Sequence, residues 1–197
     1  MNITDVDLKD YEPTSSNLFE DIYNRQLELM QALYKNGKLR ALPTDKMNEE
    51  MVKDSLRRAL EEIFEAELLL KNKEWKKTQM LTDVDHFREE LADALHFYVE
   101  ALHYWPVKYD LDISKIIDDY AEADLHDRSD QHEIKEFVFD LAAVITYVAN
   151  SKNPRLLKDG LELLLGLCKR AGMDEKMIHE TYIKKWHVNL WRIETDY

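Results

Sequence analysis

Two clusters of acidic residues, one in each of two neighbouring predicted helices, carry the clearest chemical signal in this sequence. The first consists of Glu61, Glu62 and Glu65, and the second of Glu90 and Asp93. Side chains three or four positions apart share one face of a helix. Carboxylates that converge beside apolar neighbours repel one another, by roughly 3 kcal/mol for two charges about 6 Å apart at an effective dielectric constant of about 20. A hard divalent cation removes that cost, and Mg²⁺ is the usual partner when a substrate carries phosphates.

Each acidic cluster taken singly is also typical of a solvated helix face, because the chain contains 40 acidic residues. The combination of the two clusters is more specific. Two consecutive helices joined by a connector of modest length normally pack antiparallel, which brings their acidic faces together. In that arrangement an oxygen-rich metal site forms from the inward carboxylates of Glu62, Glu65, Glu90 and Asp93.

Four other residues, three of them near these clusters and one on the first predicted helix, fit either a structural role or contact with a ligand. Trp75, in the connector between the two helices, is suited to anchoring a core or to lying against a base. His96 fits a satisfied core histidine or a contact to a sugar or a water on the metal, and Phe97 fits core packing or stacking on a base. Gln26 offers a donor and an acceptor to a base edge, although a lone glutamine is usually a surface residue.

The C-terminal segment places three polar residues on one predicted helix face. Lys185, Asn189 and Arg192 follow one another at spacings of four and three. A cation, an amide and a guanidinium on one face suit a phosphate chain and a sugar. A polar surface stripe on a terminal helix is the alternative interpretation.

Composition and charge restrict the class of protein. The 197 residues and 45% hydrophobic content predict one globular domain, and the net charge of −13 argues against nucleic-acid or anionic-membrane binding. The acidic segment Met1–Glu12 lacks the apolar core of a signal peptide, and no apolar run is long enough to span a bilayer. The single Cys168 lies in an apolar helical run and predicts a buried structural thiol. These features predict a cytoplasmic protein.

Apolar spacing and capping residues predict a single all-α domain over residues 1–197. Residues of about 18–105 and 174–197 form its catalytic helices, and residues of about 107–172 its middle helices. The first helix is capped by Ser15 or Ser16. The first four predicted helices are about Leu18–Tyr34, Asp45–Lys71, Asp83 to a point before Pro106, and Ile113–Leu125. The fifth begins after Ser129 or Asp130 and ends at about Asn150. The sixth extends from the Asn153-Pro154 cap to Gly172, and the last begins after Asp174.

Together these motifs resemble the all-α NTP pyrophosphatases, and more closely their dimeric dUTPase branch, which includes phage dUTPase/dCTPase enzymes. The first part of the resemblance lies in Glu61-Glu62-x-x-Glu65, Trp75-Lys76 and Glu90-Leu-Ala-Asp93-Ala-Leu-His96-Phe97. The second and more specific part is Tyr182-x-x-Lys185-x-x-x-Asn189-x-x-Arg192-x-x-x-x-Tyr197. Gln26 falls where the branch has its base-reading glutamine.

The resemblance implies a homodimeric helical bundle that hydrolyses a deoxynucleoside triphosphate, foremost dUTP, to its monophosphate with Mg²⁺. It implies metal ligation by Glu62, Glu65, Glu90 and Asp93, with Glu61 supporting the site or orienting the attacking water. It implies phosphate and sugar contacts from Lys185, Asn189, Arg192 and Tyr197. It also implies a base pocket formed by Gln26, Trp75 and Phe97, with His96 beside it.

Two residues depart from the family pattern. Leu29 stands where a polar residue often follows the base-reading glutamine, and Asp196 stands where glycine usually precedes the last tyrosine. The departure at Leu29 keeps open a dCTP- or dTTP-preferring pyrophosphatase of the same fold. A non-catalytic helical protein whose acidic faces bind a basic partner is the alternative from another class, but it has no need of the Lys/Asn/Arg face.

Overall fold

The computed structural model describes residues 1–70, 83–105, 107–151 and 153–195, and those ranges contain helices and no strand. A short 3₁₀ helix, Ile3–Asp5, precedes the main helices. These are α1 (Leu18–Lys35), α2 (Glu49–Leu69), α3 (Val84–His103), α4 (Ile113–Ile117), α5 (Arg128–Ser151), α6 (Pro154–Arg170) and α7 (Glu175–Glu194). The predicted all-α class is confirmed.

Three helices begin where the sequence predicts, each directly after a capping side chain. Asp83 precedes α3, Asn153 precedes α6 and Asp174 precedes α7, and each accepts a hydrogen bond from a backbone N–H of the first turn. These side chains satisfy donors that have no partner within the helix. α6 ends two residues before the predicted Gly172, whose φ of 72° suits glycine in the turn after a helix.

The predicted cap of α1 is wrong. Asn17, rather than Ser15 or Ser16, caps the helix, and its side chain accepts the backbone N–H of Glu20 at 3.0 Å. The hydroxyl of Ser15 donates instead to the carboxylate of Glu20 at 2.6 Å. Competition between several polar residues at a helix start is decided by local backbone geometry, which spacing alone does not give.

Two other helices begin at residues different from those predicted. α2 begins four residues after Asp45, because the side chain of Asn48 accepts a backbone N–H of the first turn. α5 begins before the predicted start after Ser129 or Asp130, because the carboxylate of Asp127 accepts the N–H groups of both residues. In each case the observed helix starts next to an Asn or Asp that supplies a cap.

The predicted helix Ile113–Leu125 is too long. α4 ends at Ile117, and the chain then turns so that the N–H of Ala123 donates to the carbonyl of Arg170 at the end of α6 (3.0 Å). This tertiary hydrogen bond takes the place of a helical one. Leu125 nevertheless remains buried in the core.

α2 and α3 pack along most of their length and run antiparallel. The backbone N–H of Asn48, before α2, donates to the carbonyl of Tyr104, after α3 (3.0 Å). One turn into α2, the hydroxyl of Ser55 donates to Glu100 near the end of α3 (2.8 Å). Residues later in α2 therefore lie beside residues earlier in α3, as the two acidic clusters require.

The other helices enclose this pair. α1 and α7 pack against each other and against α3, while α5 packs against α2 and α6. Leu56, Ile63 and Leu95 are among the side chains buried in the shared core, and a buried side chain of this size contributes roughly 1.5–3 kcal/mol. Cys168 is buried as predicted. In the ranges given above, no helix combines the length and apolar character needed to cross a bilayer.

The N-terminal segment is attached to α1 and α7 through one buried carboxylate. Asp21 has no exposed surface and accepts hydrogen bonds from the hydroxyl of Tyr11 (2.5 Å), the backbone and hydroxyl of Thr14 (2.6 and 2.8 Å) and Nε2 of His179 (2.7 Å). These donors outweigh the effect of burial, and the pKa of Asp21 lies below its ordinary value. The carboxylate therefore joins three separate parts of the chain.

Candidate functional site

Three carboxylates from α2 and α3 converge. Oxygens of Glu62, Glu65 and Glu90 lie within 4.8 Å of one another. Glu62 and Glu65 lie one turn apart on α2, and Glu90 lies on the facing side of α3. Glu65 is exposed and the other two are partly buried, so the group is accessible from one side. This three-carboxylate group offers the ligands that hard divalent cations prefer.

The electrostatic cost of this arrangement appears in the pKa values. Burial, together with the carboxylates of Asp93, Glu65 and Glu90, raises the pKa of Glu62 to about 7. Burial also raises the pKa of Asp93 to about 6, although Lys185 opposes the shift. Without a cation, these groups therefore hold protons nearer neutral pH than ordinary carboxyl groups do. A divalent cation favours the charged forms, so cation and proton compete for the site.

A lysine from α7 reaches the fourth predicted carboxylate. Nζ of Lys185 lies 2.6 Å from Asp93 and 2.8 Å from Glu89, and the lysine is 5% exposed. Burial opposes its charge, but the two carboxylates outweigh that effect and raise the pKa of Lys185. Glu89 was not among the predicted site residues. Its position four residues before Asp93 places it on the same helix face and was the available signal.

Two predicted acidic residues have partners on their own helices. Glu90 lies 2.6 Å from Nε2 of His86, one turn earlier on α3. Glu61 pairs with Arg57 at 2.5 Å on α2, where both side chains are more than half exposed. Glu61 is thus adjacent in sequence to the three-carboxylate group but is not one of its members.

A cavity of about 350 Å³ lies beside these carboxylates, between α1, α2, α3 and α7. Leu29, Leu33 and Ile193 supply apolar surface to its lining. The predicted site residues that also line it are Gln26, Glu62, Asp93, His96, Phe97, Asn189 and Arg192. Residues separated by more than 160 positions in the chain are thereby brought to one cavity.

Gln26 is held by buried partners in this cavity. Its Oε1 accepts from the hydroxyl of Tyr182 at 2.6 Å and lies 2.9 Å from Nδ1 of His96. The imidazole of His96 stacks on the ring of Tyr182 with centroids 3.8 Å apart. Burial lowers the pKa of His96 to about 3, so the imidazole is neutral at physiological pH. His96 is therefore a buried hydrogen-bonding residue at the wall of the cavity.

The family is decided by a comparison that extends over all seven helices. The sequence model of the dUTPase family matches residues 18–197. The chain belongs to the dUTPase family. It is accordingly a nucleotide hydrolase with a pyrophosphatase-type activity, and the resemblance inferred from its motifs is confirmed. No curated protein sequence matches the chain significantly.

The donor set of this dUTPase-family hydrolase fits a divalent cation. The three-carboxylate group supplies oxygen ligands on two helices, and the raised pKa of Glu62 reflects burial together with neighbouring negative charge. Lys185 pairs with Asp93 and Glu89, neither of which belongs to this group. The group therefore retains negative charge that a divalent cation can neutralise.

The structure adds three charged residues to the cavity that the sequence did not indicate: Lys38, Arg58 and Glu100. Glu100 is 4% exposed, accepts from the hydroxyl of Ser55, and has a pKa raised by burial. The guanidinium of Arg58 lies 5.6 Å from the ring centroid of Phe97. Glu100 follows His96 by one helical turn, and this spacing was the only signal for it in the sequence.

Two of the residues that line the cavity also contact each other, and two further predicted residues lie outside the described ranges. On α7, the side-chain oxygen of Asn189 accepts from the guanidinium of Arg192 at 3.3 Å. Trp75, in the connector, and Tyr197, at the C-terminus, lie outside the described residues.

Proposed function

We propose that this dUTPase-family hydrolase is a Mg²⁺-dependent pyrophosphohydrolase that converts dUTP to dUMP. The observation that supports the proposal most directly is the position of Glu62, which belongs both to the three-carboxylate group and to the lining of the cavity. A nucleotide whose base enters the cavity therefore has its phosphates beside the carboxylates. The cavity volume of about 350 Å³ lies in the range of small-molecule sites.

In this proposal the acidic residues hold and orient the reacting groups. Glu62, Glu65 and Glu90 hold Mg²⁺, and Asp93 completes the acidic set. When bound, Mg²⁺ neutralises charge on phosphate oxygens and makes water more acidic. Glu61, next to Glu62 on α2, supports the site or orients the attacking water.

The substrate contacts in the proposal come from the polar face of α7 and the walls of the cavity. Lys185 is held near the acidic set by Asp93 and Glu89, where its charge stabilises the phosphates. The other proposed phosphate and sugar contacts are Asn189, Arg192 and Tyr197. The proposed base contacts are Gln26, Trp75, His96 and Phe97.

Hydrolysis of a panel of deoxynucleoside triphosphates with Mg²⁺ and with EDTA tests this proposal. The expected result is release of pyrophosphate from dUTP in Mg²⁺ and no release in EDTA. Glu62→Gln is expected to abolish turnover while the helical circular dichroism signal is unchanged. Turnover in EDTA, or no turnover of any deoxynucleotide with Mg²⁺, would contradict the proposal.

A dCTP- or dTTP-preferring pyrophosphatase with the same metal site is the second candidate. Leu29 favours it, because this apolar side chain lines the cavity where the family pattern often has a polar residue. Rates on dUTP, dCTP and dTTP measured side by side distinguish the two candidates. Membership in a family of nucleotide hydrolases removes the non-catalytic alternative.

The assembly and compartment remain part of the proposal. We expect a homodimer in the cytoplasm, on the basis of the dUTPase-branch resemblance and the single buried thiol of Cys168. Sedimentation equilibrium tests the dimer, and a mass equal to that of one chain would refute it.

A further inference from the structure

We propose that Asp21 and Arg25 are positioning residues: they hold the N-terminal segment, residues 1–17, against α7 and so fix the rotation of α7 that directs its phosphate-contacting face into the cavity. The family match begins at residue 18, so this segment lies outside the matched range. Neither Asp21 nor Arg25 lines the cavity. The inference rests on the proposed function, because the contacts that it positions are the proposed phosphate contacts of α7.

The first link between the N-terminal segment and α7 is the buried carboxylate of Asp21. Two of its donors, Tyr11 and Thr14, belong to the segment, and the third, His179, lies near the start of α7. His179 is only 6% exposed, so this link is shielded from water. Loss of one donor would leave an unsatisfied acceptor in a buried network, so the segment, α1 and α7 are held together as a unit.

Arg25, one turn after Asp21 on α1, makes the second link. Its guanidinium donates to the hydroxyl of Tyr11 at 3.1 Å and to the backbone oxygen of Glu12 at 2.8 Å. The same group lies 5.1 Å from the ring centroid of Tyr11 and 4.9 Å from that of Trp186 on α7. A cation at such distances is attracted to both rings, so Arg25 holds the segment and α7 together.

The face of α7 that these two links hold is adjacent to the proposed phosphate face. His179 and Trp186 are seven residues apart, so they lie within roughly 20° of each other around the helix. Lys185, Asn189 and Arg192 lie roughly 60–120° from Trp186, all on the same side of it. Because two links almost two turns apart fix one stripe of α7, they also fix the direction of the neighbouring stripe.

A small rotation of α7 would move the ends of these side chains appreciably. A helix with its side chains has a radius of about 5–6 Å, so a rotation of about 10° displaces the outer atoms by about 1 Å. A misplacement of about 1 Å can lower the rate of an enzyme by about 10²-fold. The ion pairs of Lys185 with Asp93 and Glu89 oppose such a rotation, so we expect a loss of about tenfold.

The N-terminal segment also extends along α7 toward the acidic end of the site. The 3₁₀ helix Ile3–Asp5 packs against α7. Ile3 and Thr4 line a second cavity, of about 600 Å³, together with Glu89, the carboxylate that pairs with Lys185. The segment therefore borders α7 from the surroundings of Lys185 to the links at Asp21.

Asp21→Asn tests the positioning role, assayed at a temperature at which circular dichroism shows the variant to be folded. The kcat/KM for dUTP with Mg²⁺ is expected to fall about tenfold, mainly through a higher KM, because the displaced groups contact the phosphates. Binding of deoxyuridine, which has no phosphate, is expected to be nearly unchanged in calorimetry. An unchanged kcat/KM would overturn the inference.

Gly166→Ala is the matched control for a loss of stability alone. The added Cβ would lie 2.5 Å from the ring of Tyr120, which destabilises the fold at α6. Its kcat/KM for dUTP is expected to equal that of the natural protein when both are folded. An equal loss of kcat/KM in Gly166→Ala and Asp21→Asn would overturn the inference, because a purely structural role would then account for both.

The reactivity of Lys185 gives a measurement that does not depend on turnover. Lys185 is 5% exposed, whereas the side chain of Lys176 on the same helix is 80% exposed. The rate at which an amine-specific reagent modifies Lys185, relative to Lys176, is expected to rise several-fold in Asp21→Asn and to stay unchanged in Gly166→Ala. Peptide mass spectrometry measures both rates. No turnover of any deoxynucleotide by the natural protein would refute the proposed function, while an unchanged Lys185 rate in Asp21→Asn would refute the positioning role.

Two further substitutions keep the inference testable if Asp21→Asn does not fold. Tyr11→Phe retains the ring beneath Arg25 but removes the donor to Asp21, and kcat/KM for dUTP is expected to fall about threefold. Arg25→Met is expected to lower kcat/KM more than Arg25→Lys, because lysine keeps a cation against the ring of Trp186. Natural values in Tyr11→Phe, or equal values in the two Arg25 variants, would overturn the inference.

Discussion

Replacing Glu62 with glutamine is expected to stabilise the protein in the absence of a cation, although it removes a proposed ligand. Burial and then three neighbouring carboxylates raise the pKa of Glu62 from 4.5 to about 7. A raised carboxyl pKa means that the folded state holds the proton more tightly than the unfolded state. This contribution to stability is complete below a pH of 4.5 and is lost as the pH rises through about 7. Glutamine keeps the shape of the side chain and lacks the charge.

The magnitude follows from that pKa difference and from the exposure of the side chain. The change from 4.5 to about 7 corresponds to at most about 3 kcal/mol in the free energy of unfolding above neutral pH. Glu62 is only partly buried, so solvent screening reduces the effect to about 1 kcal/mol. For a chain of this size we expect a Tm about 2–4 °C higher for Glu62→Gln than for the natural protein in EDTA.

Thermal unfolding above neutral pH, followed by circular dichroism, measures this difference. Added Mg²⁺ is expected to raise the Tm of the natural protein, because a ligand bound only by the folded state stabilises it, and to have little effect on Glu62→Gln. Glu50→Gln on the same helix is the control, since Glu50 is exposed and pairs with the exposed Arg40. A Glu62→Gln protein less stable than the natural one in EDTA would refute the electrostatic reasoning.

Three further predictions concern other parts of the molecule. Asp21→Asn is expected to lower the free energy of unfolding by about 1–3 kcal/mol at neutral pH, measured with urea. Because folding lowers the pKa of Asp21 from 3.8, the difference in the free energy of unfolding between the variant and the natural protein should narrow only as the pH falls below 3.8. Gly166→Ala is expected to lower the free energy of unfolding by about 1–3 kcal/mol, because the added Cβ would lie 2.5 Å from the ring of Tyr120. An unchanged midpoint of urea unfolding would contradict this prediction. Arg192→Ala is expected to weaken binding of dUTP about tenfold and to leave deoxyuridine binding nearly unchanged, measured by calorimetry; equal losses on both ligands would remove its phosphate role.

The sequence predicts the start of a helix correctly where a single residue caps it. Asp83, Asn153 and Asp174 each mark a helix start with an oxygen that accepts a first-turn N–H. The errors occurred where several candidates competed or where a distant partner decided the outcome. The capping of α1 by Asn17 rather than its serine neighbours is the first kind, and the early end of α4 is the second.

The amino-acid sequence by itself determined the helical class, the acidic pairs that share a helix face, and the family, because these depend on spacing along one chain or on motifs. Only the tertiary structure decided that Glu62, Glu65 and Glu90 converge while Asp93 pairs with Lys185. It also decided that Gln26 is buried against side chains from α3 and α7. Spacing states which face of a helix a residue occupies. The offset and rotation between packed helices depend on how their core side chains fit together, and that fit sets which oxygens meet.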